Sequence, residues 1–246
     1  MNLQSIIHTL TIRPQRLKPV LLALGLTGLG LYRLLYATGV DGRGLLKSGH
    51  PAWVILCLLS VAAGILALCS TLRIRGAGGR LLRSLPAGFA CVAMALSSLF
   101  TGLSDLVGGY SMYALPSLLA AAAFLAVAAC RILGRRSNFL LHVVICIHFA
   151  LQMLKLYQAN SVDPQLQNYL FQLLSCIALT VTGYQLAAFD LGQGHRRWLW
   201  LSSLSAVYLC AVSLGSSHTC FYLTGCIWAL TAIPMARRSA RKPAQT

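Results

Sequence analysis

At 246 residues, 57% hydrophobic and only 10% charged, the chain has too little polar surface to enclose one core in water. Lipid must be the solvent for much of it. A net charge of +16 would suggest nucleic acid in a soluble protein, but the arginines form short clusters beside apolar runs, which fits membrane topology and anionic headgroups and speaks against a nucleic-acid surface.

Eight apolar runs divide the chain. A first span is expected over residues 19–38. It follows a basic stretch, as a signal peptide would, but is too long for an h-region and lacks a small-x-small cleavage site, so it reads as a retained helix. Span 2 covers about 51–71, opened by Pro51 in a first turn that needs no backbone donor. Spans 3 and 4 cover about 85–105 and 112–133, span 5 about 138–157 and span 6 about 165–189. Spans 7 and 8, about 198–214 and 220–236, are near the shortest that cross ~30 Å of hydrocarbon at ~1.5 Å per residue. The fold class is all-α, a polytopic transmembrane bundle in one membrane domain over 1–246, with short loops and antiparallel neighbours. Small residues at helical spacing, Ala122, Ala126 and Ala129 in span 4 and Ser60 and Gly64 in span 2, are expected to bring helix backbones close.

Sixteen of the 20 basic residues fall in alternate gaps, such as Arg73, Arg75, Arg80 and Arg83, or Arg131, Arg135 and Arg136. The other gaps hold only Arg43, Lys47 and Lys155, and Arg33 lies within span 1. Loops rich in Lys and Arg stay cytoplasmic, so both termini are expected inside a plasma or inner membrane, with anionic headgroups against the basic face. Seven spans would strand a basic cluster outside; eight satisfies every one.

There is no glutamate, and the four aspartates, Asp41, Asp105, Asp163 and Asp190, avoid the middle of every run. HExxH is therefore absent, as are GxSxG, GxGxxG and a Walker A loop. A pump built on a mid-membrane carboxylate is disfavoured. His142 and His148, the histidines within spans, share one helix on different faces, which does not suit a bis-histidine haem. Nine cysteines without a CxxC read as small hydrophobes. No cofactor, metal or catalytic group is expected, and an enzyme is the third-ranked reading.

Polar residues gather on three helix faces. His148, Gln152 and Lys155 recur at i, i+4 and i+7 in span 5. Asn168, Gln172, Ser175 and Thr182 mark span 6, and Ser98, Thr101, Gly102 and Asp105 mark span 3. Such groups face a wet cavity or pack helices by hydrogen bonds. Lys155 needs a partner, Asp105 before Asp163, because the span 3 stripe leads to Asp105. Arg33 is expected at the outer interface, snorkelling or paired with Asp105 or Asp41. The loop before span 2 adds Asp41 and His50, and His218 and Asp105 lie at the same depth, without a recognised metal spacing.

The leading expectation is a carrier, or the membrane component of one. Its polar site would lie in the outer half between spans 3, 5 and 6 and take a small neutral or anionic solute. The alternative is a scaffold that binds a membrane-protein partner, with the polar stripes serving packing alone.

Overall fold

A computed structural model describes residues 14–39, 50–72, 79–81, 84–161, 169–216 and 218–238. Eight helices run through them: α1 (Pro14–Thr38), α2 (Pro51–Leu72), α3 (Leu85–Val107), α4 (Ser111–Leu133), α5 (Phe139–Ala159), α6 (Leu170–Asp190), α7 (Arg196–Val212) and α8 (Thr219–Met235). Seven are long and apolar enough to cross a membrane, α7 with the 3₁₀ turn Ser213–Gly215 appended. The eighth, α8, has 17 residues, about 26 Å of rise. The chain is a multi-pass integral membrane protein.

Local chemistry sets the helix ends. Ser84 caps α3, its hydroxyl accepting from the Ala87 amide at 3.4 Å, with Pro86 in the first turn. Asn138 caps α5 in the same way through the Leu140 amide at 3.1 Å. Gly134 ends α4 at φ 72°, a left-handed conformation that glycine adopts without strain.

Among the described residues, two short strands depart from the helical pattern. β1 (Gly79–Leu81) pairs antiparallel with β2 (Ala236–Arg238), Gly79 opposite Arg238. Residues 79–81, in the basic stretch after α2, are thus tied by backbone hydrogen bonds to the segment after α8. This ribbon places the end of α2, the start of α3 and the end of α8 together. It is called the ribbon end below, and the opposite one the far end.

Helices α3 to α8 form a closed ring: each packs on the next, and α8 packs back on α3. The α1–α2 hairpin lies outside, docked mainly on α7. The larger core fills the ring with Met94, Phe124, Ile145, Phe149, Leu179 and Trp228. The smaller joins the hairpin to α7 through Leu17, Leu21, Leu56, Leu204 and Tyr208.

The closest approaches do not fall where small-residue spacing placed them. Ala122 and Ala129 are exposed on the outside of α4, and the buried face carries Ala120, Ala123, Phe124 and Val127. Gly64 has open space around it and lines an apolar recess of about 260 Å³ with Ser60, Ala63 and Ala67. In lipid a small residue gains nothing by being on an exposed face and loses nothing either, so spacing alone cannot tell the two faces apart. Two tight crossings are α3 on α4, where a Cβ on Gly88 would lie 2.5 Å from Ile132 Cγ1, and α1 on α7, where a Cβ on Gly25 would lie 2.6 Å from Ala211 Cβ and 3.1 Å from the Tyr208 carbonyl. Gly25→Ala should therefore lower stability by about 1–3 kcal/mol, the usual range for overpacking, while Gly64→Ala should leave it unchanged or slightly raised. Unfolding midpoints of both variants in one detergent decide this.

Candidate functional site

The ring interior is layered along its axis. At the far end lies a cavity of about 60 Å³, lined by Thr101 of α3, Gln152, Lys155, Leu156 and Ala159 of α5, Cys176 of α6, and His218, Phe221 and Tyr222 at the start of α8. Water occupies about 30 Å³ per molecule in the liquid, so the cavity is small. Ala159 and His218 are exposed, which puts its mouth at the far end.

Lys155 of α5 pairs with Asp105 of α3, the partner that the polar stripe on span 3 favoured. The ammonium is 24% exposed and the carboxylate 4%. Asp105 Oδ2 is enclosed without a hydrogen-bond partner. One turn deeper, the Gln152 amide nitrogen donates to Ser117 Oγ of α4 at 3.1 Å, and Thr101 donates to its own helix at the Ser97 carbonyl, 2.9 Å. Tyr113 of α4 donates to Gln158 Oε1, which steadies the last turn of α5.

His148 is fully buried below the cavity, its Nε2 3.3 Å from Ser98 Oγ and its Nδ1 without a partner. Its ring stands among Phe149 and Phe221, at centroid distances of 5.7 and 6.2 Å. Phe149 in turn meets Phe124 and Trp228 at 6.1 and 5.8 Å. These edge-on and tilted contacts make a continuous aromatic floor contributed by α4, α5 and α8.

Beneath the floor, at the ribbon end, lies a polar cluster that the stripes did not indicate. Arg131, at the end of α4, grips Asp190 of α6 with both terminal nitrogens, NH2 to Oδ2 at 2.7 Å and NH1 to Oδ1 at 3.2 Å. His142 Nε2 lies 2.9 Å from Asp190 Oδ2, and Ser137 donates to the same oxygen. A carboxylate only accepts, so His142 carries its proton on Nε2. All four side chains are buried, and His142 Nδ1 has no partner. The signals available were Asp190, a carboxylate among the arginine-rich gaps, and Arg131, placed inside its helix rather than after it.

The remaining expected residues separate from this axis. Gln172 and Arg33 line a different recess of about 270 Å³ with Tyr32, Tyr36, Gly215 and Ser216, outside the ring. Arg33 is exposed there, and Asp105 is taken by Lys155. Ser175 and Thr182 serve packing, bonded to Ser213 and to the Ala178 carbonyl at 2.9 and 2.8 Å. His50 caps α2, its Nδ1 accepting from the Ala52 amide at 3.3 Å. Asn168, Asp41 and Asp163 lie outside the described residues. Among the described residues, no three His, Cys, Asp or Glu side chains converge as metal ligands.

His218 lies beyond the spans at the cavity rim. Desolvation first, and then the Lys155 charge, hold its imidazole below the ordinary value, against the opposing pull of Asp105. It is neutral at pH 7.

No known family model, curated protein or solved structure matches this chain.

Within lipid, removing one partner of a buried ion pair strands the other charge. Asp190→Asn should destabilise the protein by about 3–5 kcal/mol, whereas Arg131→Met with Asp190→Leu should recover most of that loss. Thermal unfolding of single and double variants measures it; a single variant as stable as the parent would mean that the cluster is not dry.

Proposed function

We propose that this protein is a carrier for a small polar solute, or the membrane component of one, with its binding site in the far-end cavity. One observation supports this most: the ring encloses a polar cavity that opens at one end, stops on an aromatic floor, and is backed by a charge-paired cluster at the other. A helix bundle that used polar groups for packing alone would have no need of a cavity walled by five polar or ionisable side chains, Thr101, Gln152, Lys155, His218 and Tyr222.

In this reading Lys155, Gln152 and Thr101 are the solute contacts, and His148 holds α5 against α3 below them. Gln172 and Arg33 fall outside the site. The Arg131–Asp190–His142–Ser137 cluster is the closed side, because charges so buried admit no water while they are paired.

Orientation belongs to the same proposal. With eight crossings and the arginine-rich ribbon end in the cytoplasm, the cavity faces outward. Reporter fusions at Gly44, Gly109, Asn160 and Ser216 should score outside, and those at Gly78 and Gly194 inside. A single reversed loop overturns the orientation.

The site itself is tested by accessibility. With exposed Cys220 replaced by serine, cysteines at Gln152, Lys155 and Leu156 should react with a membrane-impermeant maleimide added to the far side. Cysteines at Ile147 and Leu154, which face outward on α5, should not. Equal reactivity at both sets sinks the carrier reading and leaves helix packing, and with it a scaffold role.

A further inference from the structure

We infer that the far-end cavity selects uncharged solutes bearing both a hydrogen-bond donor and an acceptor, of the urea or amide class, because the lysine in its lining is already paired with a carboxylate. This rests on the carrier reading.

The charge inventory comes first. Lys155 lines the cavity and is ion-paired with the buried Asp105 carboxylate, and His218 at the rim is neutral at pH 7. The lining therefore holds no net charge. An incoming anion would meet the Lys155 ammonium with the Asp105 carboxylate already bonded to it, and an incoming cation would meet that same ammonium. Either ion would surrender hydration for a field that largely cancels. That arrangement rejects both signs, which a lone lysine would not do.

The hydrogen-bond inventory then describes what is accepted. An ammonium has three N–H groups, and Asp105 engages one of them. The Gln152 nitrogen donates to Ser117, which leaves its carbonyl oxygen to accept. Thr101 spends its proton on the Ser97 carbonyl, so its oxygen is also an acceptor. A carbonyl facing Lys155 and N–H groups facing Gln152 and Thr101 would match this set. The volume of about 60 Å³ suits a solute of about the size of urea.

Swapping the charges tests the assignment. Full-length protein in nanodiscs is titrated with urea, acetate and methylammonium, and binding is read by calorimetry. The parent should bind urea at least about tenfold more tightly than either ion. Asp105→Asn, which frees the Lys155 charge, should raise acetate affinity about tenfold and weaken urea. Lys155→Met should do the same for methylammonium. The double variant keeps the lining neutral, should again reject both ions, and remains informative if a single variant fails to fold. A parent that prefers acetate or methylammonium overturns the inference, as does one that binds none of the three probes. If the maleimide scan finds the cavity open while acetate is preferred, the carrier reading survives and only the neutrality falls. A closed cavity removes both.

Discussion

A charge held within a bilayer persists only where an opposite charge and matched hydrogen bonds meet it. This chain has four carboxylates and no glutamate with which to do so. Two of the four, Asp105 and Asp190, are buried, and each is matched to one cation from a facing helix. These pairs stand at opposite ends of the same ring and join α3 to α5 and α4 to α6. Both cross-links pass beside α5, which carries Lys155 near its end and His142 near its start. That helix is consequently fixed in rotation at both ends, and its middle polar residue, His148, is turned inward with them.

The layering follows from that rotation. Seven residues, about 10 Å at 1.5 Å per residue, separate His148 from Lys155, and Gln152 lies between them on the same face. Phe149, one residue past His148, is carried sideways into contact with Phe124, Phe221 and Trp228. Polar and aromatic layers thus arise from one helix by the 100° step between successive side chains. His148 bridges them, hydrogen-bonded to Ser98 on one side and stacked among rings on the other.

Much of the helical frame was legible in the residues. The apolar runs between polar gaps placed all eight helices, and Pro51 marked the start of α2. The i, i+4, i+7 spacing put Lys155 and Gln152 on one face, and the stripe on span 3 led to Asp105. Other features were not legible because they depend on which helices become neighbours. The contact of α8 with α3 that closes the ring leaves no periodic trace in either helix. Gln172 and Arg33, at the same depth as Lys155, belong to a separate recess because α1 packs outside the ring. Arg131 was hidden among arginines that read as topology signals, and His142 stood off the polar stripe. The recognition of their cluster required Asp190, some 50 residues away in sequence, to be placed beside them.

The two ion pairs also differ in how readily they can part, and this gives the ring a direction. Lys155 is 24% exposed, so water can solvate its ammonium as the pair loosens, and the attraction is screened where the cavity is wet. Arg131 and Asp190 are 4% and 3% exposed, and the carboxylate accepts from three side chains at once. Separating them would leave a buried guanidinium and a buried carboxylate, each short of partners, at a cost of several kcal/mol. The β1–β2 ribbon adds a backbone tie at that same end, joining the loop after α2 to the segment after α8. The far-end pair is therefore the one that parts more readily, and the pair at the ribbon end is the firmer cross-link.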